Sequence, residues 1–177
     1  MIQINLASGQ RPFPKPWINI DIKDQGYPVD ILTDAKDLNM FKNESVDIIV
    51  AHHLVEHIPI HELENYVSEW YRVLKKGGIL AVFVPNLKEI NKAWLEGRID
   101  TYIHNVNTFG AYQDSVHDLH KWGYDREELI NRIKCKVHNE DYFKFDFAVF
   151  DYDPLDDRYL GSNIAQDWWI LSLQFIK

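Results

Sequence analysis

Ile2 to Leu6 alternates apolar and polar residues, a period of two that predicts a short strand. Trp17 to Ile22 and Val29 to Leu32 predict two more. Val46 to Ala51 and Ile79 to Val84 are near-continuous apolar runs, the pattern of parallel strands covered on both faces. Between those runs, Leu63, Tyr66, Val67, Trp70, Val73 and Leu74 recur at helical spacing, which predicts a helix over His61 to Leu74. Lys75 and Lys76 suit the negative end of that helix, and Gly77-Gly78 reads as its stop.

Leu87 to Gly97 reads as a second helix. Residues 98–124 read as irregular, rich in His, Asn, Gly and aromatics. Asp125 with Glu128 three residues on is a capping-box arrangement and opens a helix running to about Cys135. Lys136 to Phe150 and Ile164 to Ile176 read as two long strands around an Asp-rich loop. Strands alternating with helices indicate an α/β sheet, and the closing pair an antiparallel hairpin at one edge. Pro12, Pro14 and Pro16 forbid a regular helix after the first strand.

Composition narrows the function. The 177 residues suit one domain, expected to span 1–177, and a net charge of −8 argues against nucleic acid as a partner. Ile79 to Val84 is too short to span a bilayer, so no membrane is expected. The N-terminus has no charged region of a signal peptide, and Cys135 is the lone cysteine. Both fit a reducing, cytoplasmic setting. The chain opens with a strand at residue 2, so anything such a fold carries before its first strand is expected to be missing.

The candidate chemistry sits at predicted strand ends, where open α/β sheets bind ligands. Ala7-Ser8-Gly9 follows the first strand, Asp21 closes the second, Asp34-Ala35 follows the third, and His52 to His57 follow the fourth. A single glycine marks only a tight turn, and a lone Asp a cap. The succession of all four at strand ends is the specific signal. The dinucleotide fingerprint of a dehydrogenase requires three spaced glycines opening a helix, whereas residues 7–12 read ASGQRP.

These segments resemble the class I S-adenosylmethionine-dependent methyltransferases of the small-molecule and glycan type. The resemblance lies in INLASGQRPFPKPWINIDI, ILTDAKDL, ESVDIIVAHHLVEHI and SEWYRVLKKGGILAVFVPN, within residues 2–85. It implies a Rossmann-like three-layer sandwich with a seven-stranded, mostly parallel sheet, order 3-2-1-4-5-7-6, and one antiparallel edge strand. It also implies S-adenosylmethionine as cofactor. By the same resemblance, Ala7, Ser8 and Gly9 contact the amino-acid part of the cofactor, Asp21 the ribose and Ile22 the adenine. Asp34 accepts from the adenine amino group beside Ala35, and His52, His53 and Leu54 lie near the sulfonium. Positions 7 and 10 depart from the family's glycines, and prolines replace the helix that normally follows. Arg11 is a candidate partner for the cofactor carboxylate in its place.

The reaction implied is methyl transfer to an oxygen or nitrogen of a small molecule or sugar, with residues 98–124 on the substrate side. His53, His117 and His120 are the candidate bases, because imidazole titrates near neutrality. For His117 and His120 a loop-fixing role stands equally open. Tyr112, Trp122 and Tyr124 are candidates for stacking on a flat acceptor, or for core. Trp168 and Trp169 read as packing residues. A cofactor-binding protein without catalysis and an aminopropyl transferase remain alternatives. His53, His57 and His61 share a four-residue spacing, but Pro59 interrupts it and no cysteine set lies nearby. The spacing thus favours cofactor-pocket and capping roles, and no metal is expected. The trimmed start leaves one sheet face thinly covered around Phe13 and Trp17, so a partner subunit, in a homo-oligomer, or an open pocket is expected there.

Overall fold

A computed structural model describes residues 1–111, 116–135, 144–151 and 169–177. Seven strands form one sheet: β1 (Gln3–Leu6), β2 (Ile18–Asp21), β3 (Ile31–Leu32), β4 (Val46–His52), β5 (Leu74–Pro85), β6 (Ala148–Asp151) and β7 (Ile170–Ile176). Their order is β3-β2-β1-β4-β5-β7-β6. Strands β1 to β5 pair in parallel, and β7 runs antiparallel to both β5 and β6. The antiparallel strand therefore sits one place in from the edge, with β6 outermost. Among the described residues four α-helices accompany the sheet: α1 (Leu63–Val73), α2 (Leu87–Leu95), α3 (Thr101–Phe109) and α4 (Arg126–Ile133). Among the described residues, no helix is long and apolar enough to cross a membrane.

The larger core lies between one sheet face and helices α1 and α4. Ile4, Leu6, Ile49, Ala51, Leu80, Val82, Leu173 and Phe175 pack there against Val67, Trp70, Leu129 and Ile133. Burying large apolar side chains of this kind contributes ~1.5–3 kcal/mol each before entropy is counted. Because side chains alternate across a strand, Ile48, Val50, Ala81 and Phe83 face the other way. Trp17 covers them, with Phe13 set edge-on to it at a centroid distance of 5.0 Å. No helix occupies residues 7–17, as the prolines dictate. The segment nonetheless folds back over the second face and leaves Trp17 only 5% exposed. Cover around Trp17 thus comes from the chain itself.

Asn19 holds that cover. Its side chain accepts the Phe13 N–H at 2.8 Å, donates to the Phe13 carbonyl at 2.8 Å and accepts from Asn5 Nδ2 at 3.0 Å. Both asparagines are buried. The polar positions of β1 and β2 are therefore satisfied inside the protein, as buried amides must be.

Three local expectations are corrected. Helix α1 ends at Val73, and Leu74 already has extended dihedrals and pairs with Val46. Lys75 and Lys76 accordingly lie in β5, where Lys75 Nζ meets Asp47 at 2.7 Å. The cation at the negative end of α1 is Lys177, donating to the carbonyls of Tyr71 and Leu74 at 2.8 and 2.9 Å. Second, residues 98–124 contain α3, capped by the Asp100 side chain on the Ile103 N–H. Third, β6 begins only at Ala148, because Phe145 and Phe147 pack into the core outside any strand, while 136–143 and 164–168 of the two expected strands lie outside the described residues. Asp125 caps α4 as expected, accepting the Glu128 N–H at 2.9 Å, while the Glu128 carboxylate accepts from Trp122 and Arg132 in place of closing the capping box. Tyr112 and Trp168 lie outside the described residues. Tyr124 is core, Trp122 is half exposed, and Trp169 precedes β7.

Candidate active site

A cavity of about 410 Å³ opens at the carboxyl ends of β1 to β4. Its wall includes Ala7, Gly9, Asp21, Ile22, Asp34, Ala35, His53 and Leu54. The turn after β1 and the acid closing β2 are joined directly, for Gly9 N–H donates to Asp21 Oδ2 at 2.8 Å. Lys23 N–H donates to the other carboxylate oxygen at 3.1 Å. Two main-chain donors thus fix an acid that is only 4% exposed, and each oxygen keeps a further lone pair for a ligand hydroxyl.

Backbone conformation shapes this turn. Ala7 has φ +51° and Gly9 φ +47°, the left-handed region that glycine enters freely and alanine does not. After the neighbouring strand β3, Asp34 accepts from Lys36 N–H at 3.2 Å and from the Tyr66 hydroxyl at 3.2 Å. Burial first, and then the Asp34 charge, push the Tyr66 phenol well above its ordinary value, so it stays a donor.

His53 follows β4 with φ +51°, and its Nδ1 donates to Glu56 Oε1 at 2.7 Å. A ring whose Nδ1 carries the proton keeps its lone pair on Nε2. Glu56 is 1% exposed. Burial raises the pKa of its carboxyl. The hydrogen bond from His53 and the neighbouring His53, His57 and His120 outweigh that and hold it below the ordinary glutamate range.

Four anticipated residues stand elsewhere. Ser8 is buried beneath the turn, its N–H bonded to the Ile20 carbonyl at 3.1 Å and its hydroxyl unpartnered. His52, by strand alternation, faces the second sheet side and lies on Phe83 at 5.2 Å between ring centroids. Arg11 is exposed and off the cavity wall, its main chain tied to Ser8 and Asn5. His120 stands behind the wall, edge-on to His57 at 4.8 Å, with Nδ1 at 3.1 Å from the Asn107 carbonyl. His117 does line the cavity.

The wall also holds residues that sequence reasoning passed over. Tyr66 was read only as part of the buried helix stripe. Lys23, Thr33, Lys36, Glu62, Asp118 and Lys121 also border the cavity. Lys23 and Lys36 flank the strand-end acids, and that adjacency was the signal available.

Sheet order, crossover pattern and a ligand cavity over the strand ends define the class: a Rossmann-like methyltransferase fold. A family model described as a methyltransferase domain matches residues 15–82. The chain is 26% identical over 129 residues to sterol methyltransferase-like 1 of Botryococcus braunii, covering 73% of this chain and 27% of that protein. It therefore spans about a quarter of the length of that curated relative. A S-adenosylmethionine-dependent methyltransferase from Archaeoglobus fulgidus superposes with a TM-score of 0.56 at 15% identity, covering 99% of this chain and 85% of the other. The 1,6-didemethyltoxoflavin-N1-methyltransferase of Burkholderia thailandensis, solved with bound 1,6-didemethyltoxoflavin and S-adenosylhomocysteine, gives 0.57 at 11%, covering 99% and 70%. The chain thus has the fold of the S-adenosylmethionine-dependent methyltransferases and is similar, over residues 15–82, to the methyltransferase domain model.

Proposed function

We propose that this protein transfers a methyl group from S-adenosylmethionine to an oxygen or nitrogen of a small molecule or sugar. The observation that carries the reading is the Gly9–Asp21 unit and Asp34 lining one cavity at the strand ends. Asp21 accepts from the ribose hydroxyls, Ile22 and Ala35 flank the adenine, and Asp34 accepts from its amino group. The turn at Ala7 and Gly9 brings main chain close to the amino-acid end of the cofactor.

The sulfonium activates the methyl, so the protein's task is alignment, a contribution of up to ~7–11 kcal/mol when reacting atoms are held in line. His53 is the first candidate base. It borders the cavity, and Glu56 fixes its tautomer with Nε2 free to take a proton from an acceptor hydroxyl. His117, also on the wall, is the second. The −8 net charge supports an acceptor other than nucleic acid.

Calorimetry with S-adenosylhomocysteine tests the cofactor, with micromolar binding expected. Transfer of labelled methyl to a panel of hydroxyl and amine acceptors then tests catalysis. No binding of either cofactor form overturns the proposal, and binding without turnover to any acceptor supports a non-catalytic binder.

A further inference from the structure

Glu56, His57 and His120 converge beside the cavity, each offering one ligand atom within 4.8 Å of the others. Glu56 Oε2 is buried and without a hydrogen-bond partner, while Oε1 is held by His53. A carboxylate oxygen left unpaired in a dry site is costly. Both imidazoles are oriented by main-chain carbonyls: His57 Nδ1 lies 3.2 Å from the Leu119 oxygen and His120 Nδ1 3.1 Å from that of Asn107. A carbonyl only accepts, so each Nδ1 carries the proton and each Nε2 presents a lone pair. That arrangement orients histidine toward a metal. Glu56, His120 and Thr108 also border a small void of about 10 Å³, room for one water or one ion. Thr108 Oγ1 is a second unpartnered buried atom there.

We propose that Glu56, His57 and His120 form a binding site for one divalent transition-metal ion of the Zn²⁺ type. Two neutral imidazoles and one carboxylate are an N/O donor set suited to such ions and a poor one for Mg²⁺ or Ca²⁺. Three protein ligands match sites that keep an open position for water or substrate. Tetrahedral geometry with bonds of about 2.1 Å separates donors by about 3.4 Å. Closing on an ion therefore asks for side-chain movement of about 1 Å. The spacing of His53, His57 and His61 does not point to this site. His61 is exposed beside Glu62, and the third ligand comes from the chain after α3. The site stands whether or not the cavity binds S-adenosylmethionine.

The test is calorimetric titration of Zn²⁺ into the untagged full chain after chelator treatment, with circular dichroism confirming that each variant is folded. One ion per chain is expected. Glu56→Gln and His120→Ala should each weaken binding at least tenfold, and His61→Ala should leave it unchanged. Co²⁺ titration supplies a second readout: visible absorption bands of a low-coordinate N/O site in the wild type, lost or shifted in His120→Ala. No saturable Zn²⁺ binding, or undiminished binding in both ligand variants, overturns the proposal and leaves the void to a water molecule.

Discussion

Gly9 N–H donates to Asp21 Oδ2 at 2.8 Å, so the turn after β1 and the acid at the end of β2 act as one element. Asp21→Asn removes the charge while keeping nearly the same shape. A charge-assisted hydrogen bond contributes ~1.5–3 kcal/mol. Affinity for S-adenosylhomocysteine should therefore fall about 10–100-fold, with a lower melting temperature as well, because the amide NH2 faces either the Gly9 or the Lys23 N–H. Calorimetry showing unchanged affinity would remove Asp21 from the ribose site.

Ala7 occupies the same turn at φ +51°. The left-handed conformation costs an L-residue ~1–2 kcal/mol, and glycine loses about 0.5–1 kcal/mol through its freer unfolded chain. Ala7→Gly should thus stabilise the fold by about 0.5–1 kcal/mol. Urea unfolding measures it, and a less stable variant would contradict the strain at Ala7.

Asn19 fastens the proline segment through three side-chain hydrogen bonds. Asn19→Ala strands the Phe13 N–H and carbonyl and loosens Phe13 and Trp17 over the second face. A loss of about 2–3 kcal/mol is expected from the bonds broken and the groups left unpaired. Trp17 fluorescence should report freer solvent access at the same time.

His52 links stability to pH. Burial first, then the neighbouring His53 and Arg11, lower its pKa from 6.5 to about 3. Between those values the unfolded chain binds a proton that the folded chain refuses. The stability is fully present above 6.5 and falls as pH drops toward 3, with a slope of up to ~1.4 kcal/mol per unit. Burial lowers the pKa of His120 as well, so it contributes with the same sign. His52→Phe keeps a ring against Phe83 and should lose less stability than wild type between about pH 6.5 and pH 4.5, above the ordinary carboxylate range. Equal losses in the two proteins would exclude His52 as the cause.

Much of this protein was readable along the chain. An alternating run located β1 and continuous apolar runs located β4 and most of β5, the stripe from Leu63 to Val73 located α1, and Asp125 with Glu128 located the start of α4. The acids at the ends of β2 and β3 were visible because strand-end position is a local property. Other features depend on contacts between distant segments. Lys75 and Lys76 had the right charge to end α1, yet the chain turned directly into β5, and Lys177 reached the carbonyls instead. Asn5 and Asn19 alternate as surface residues do, but the folded-back proline segment buries them. His57 and His120 are far apart in sequence and meet only when the chain after α3 returns to the end of β4. Periodicity and turn chemistry act between near neighbours, so they can determine which elements form. Which side chains face one another across the cavity is decided by packing, where each group settles against surfaces that local order does not encode.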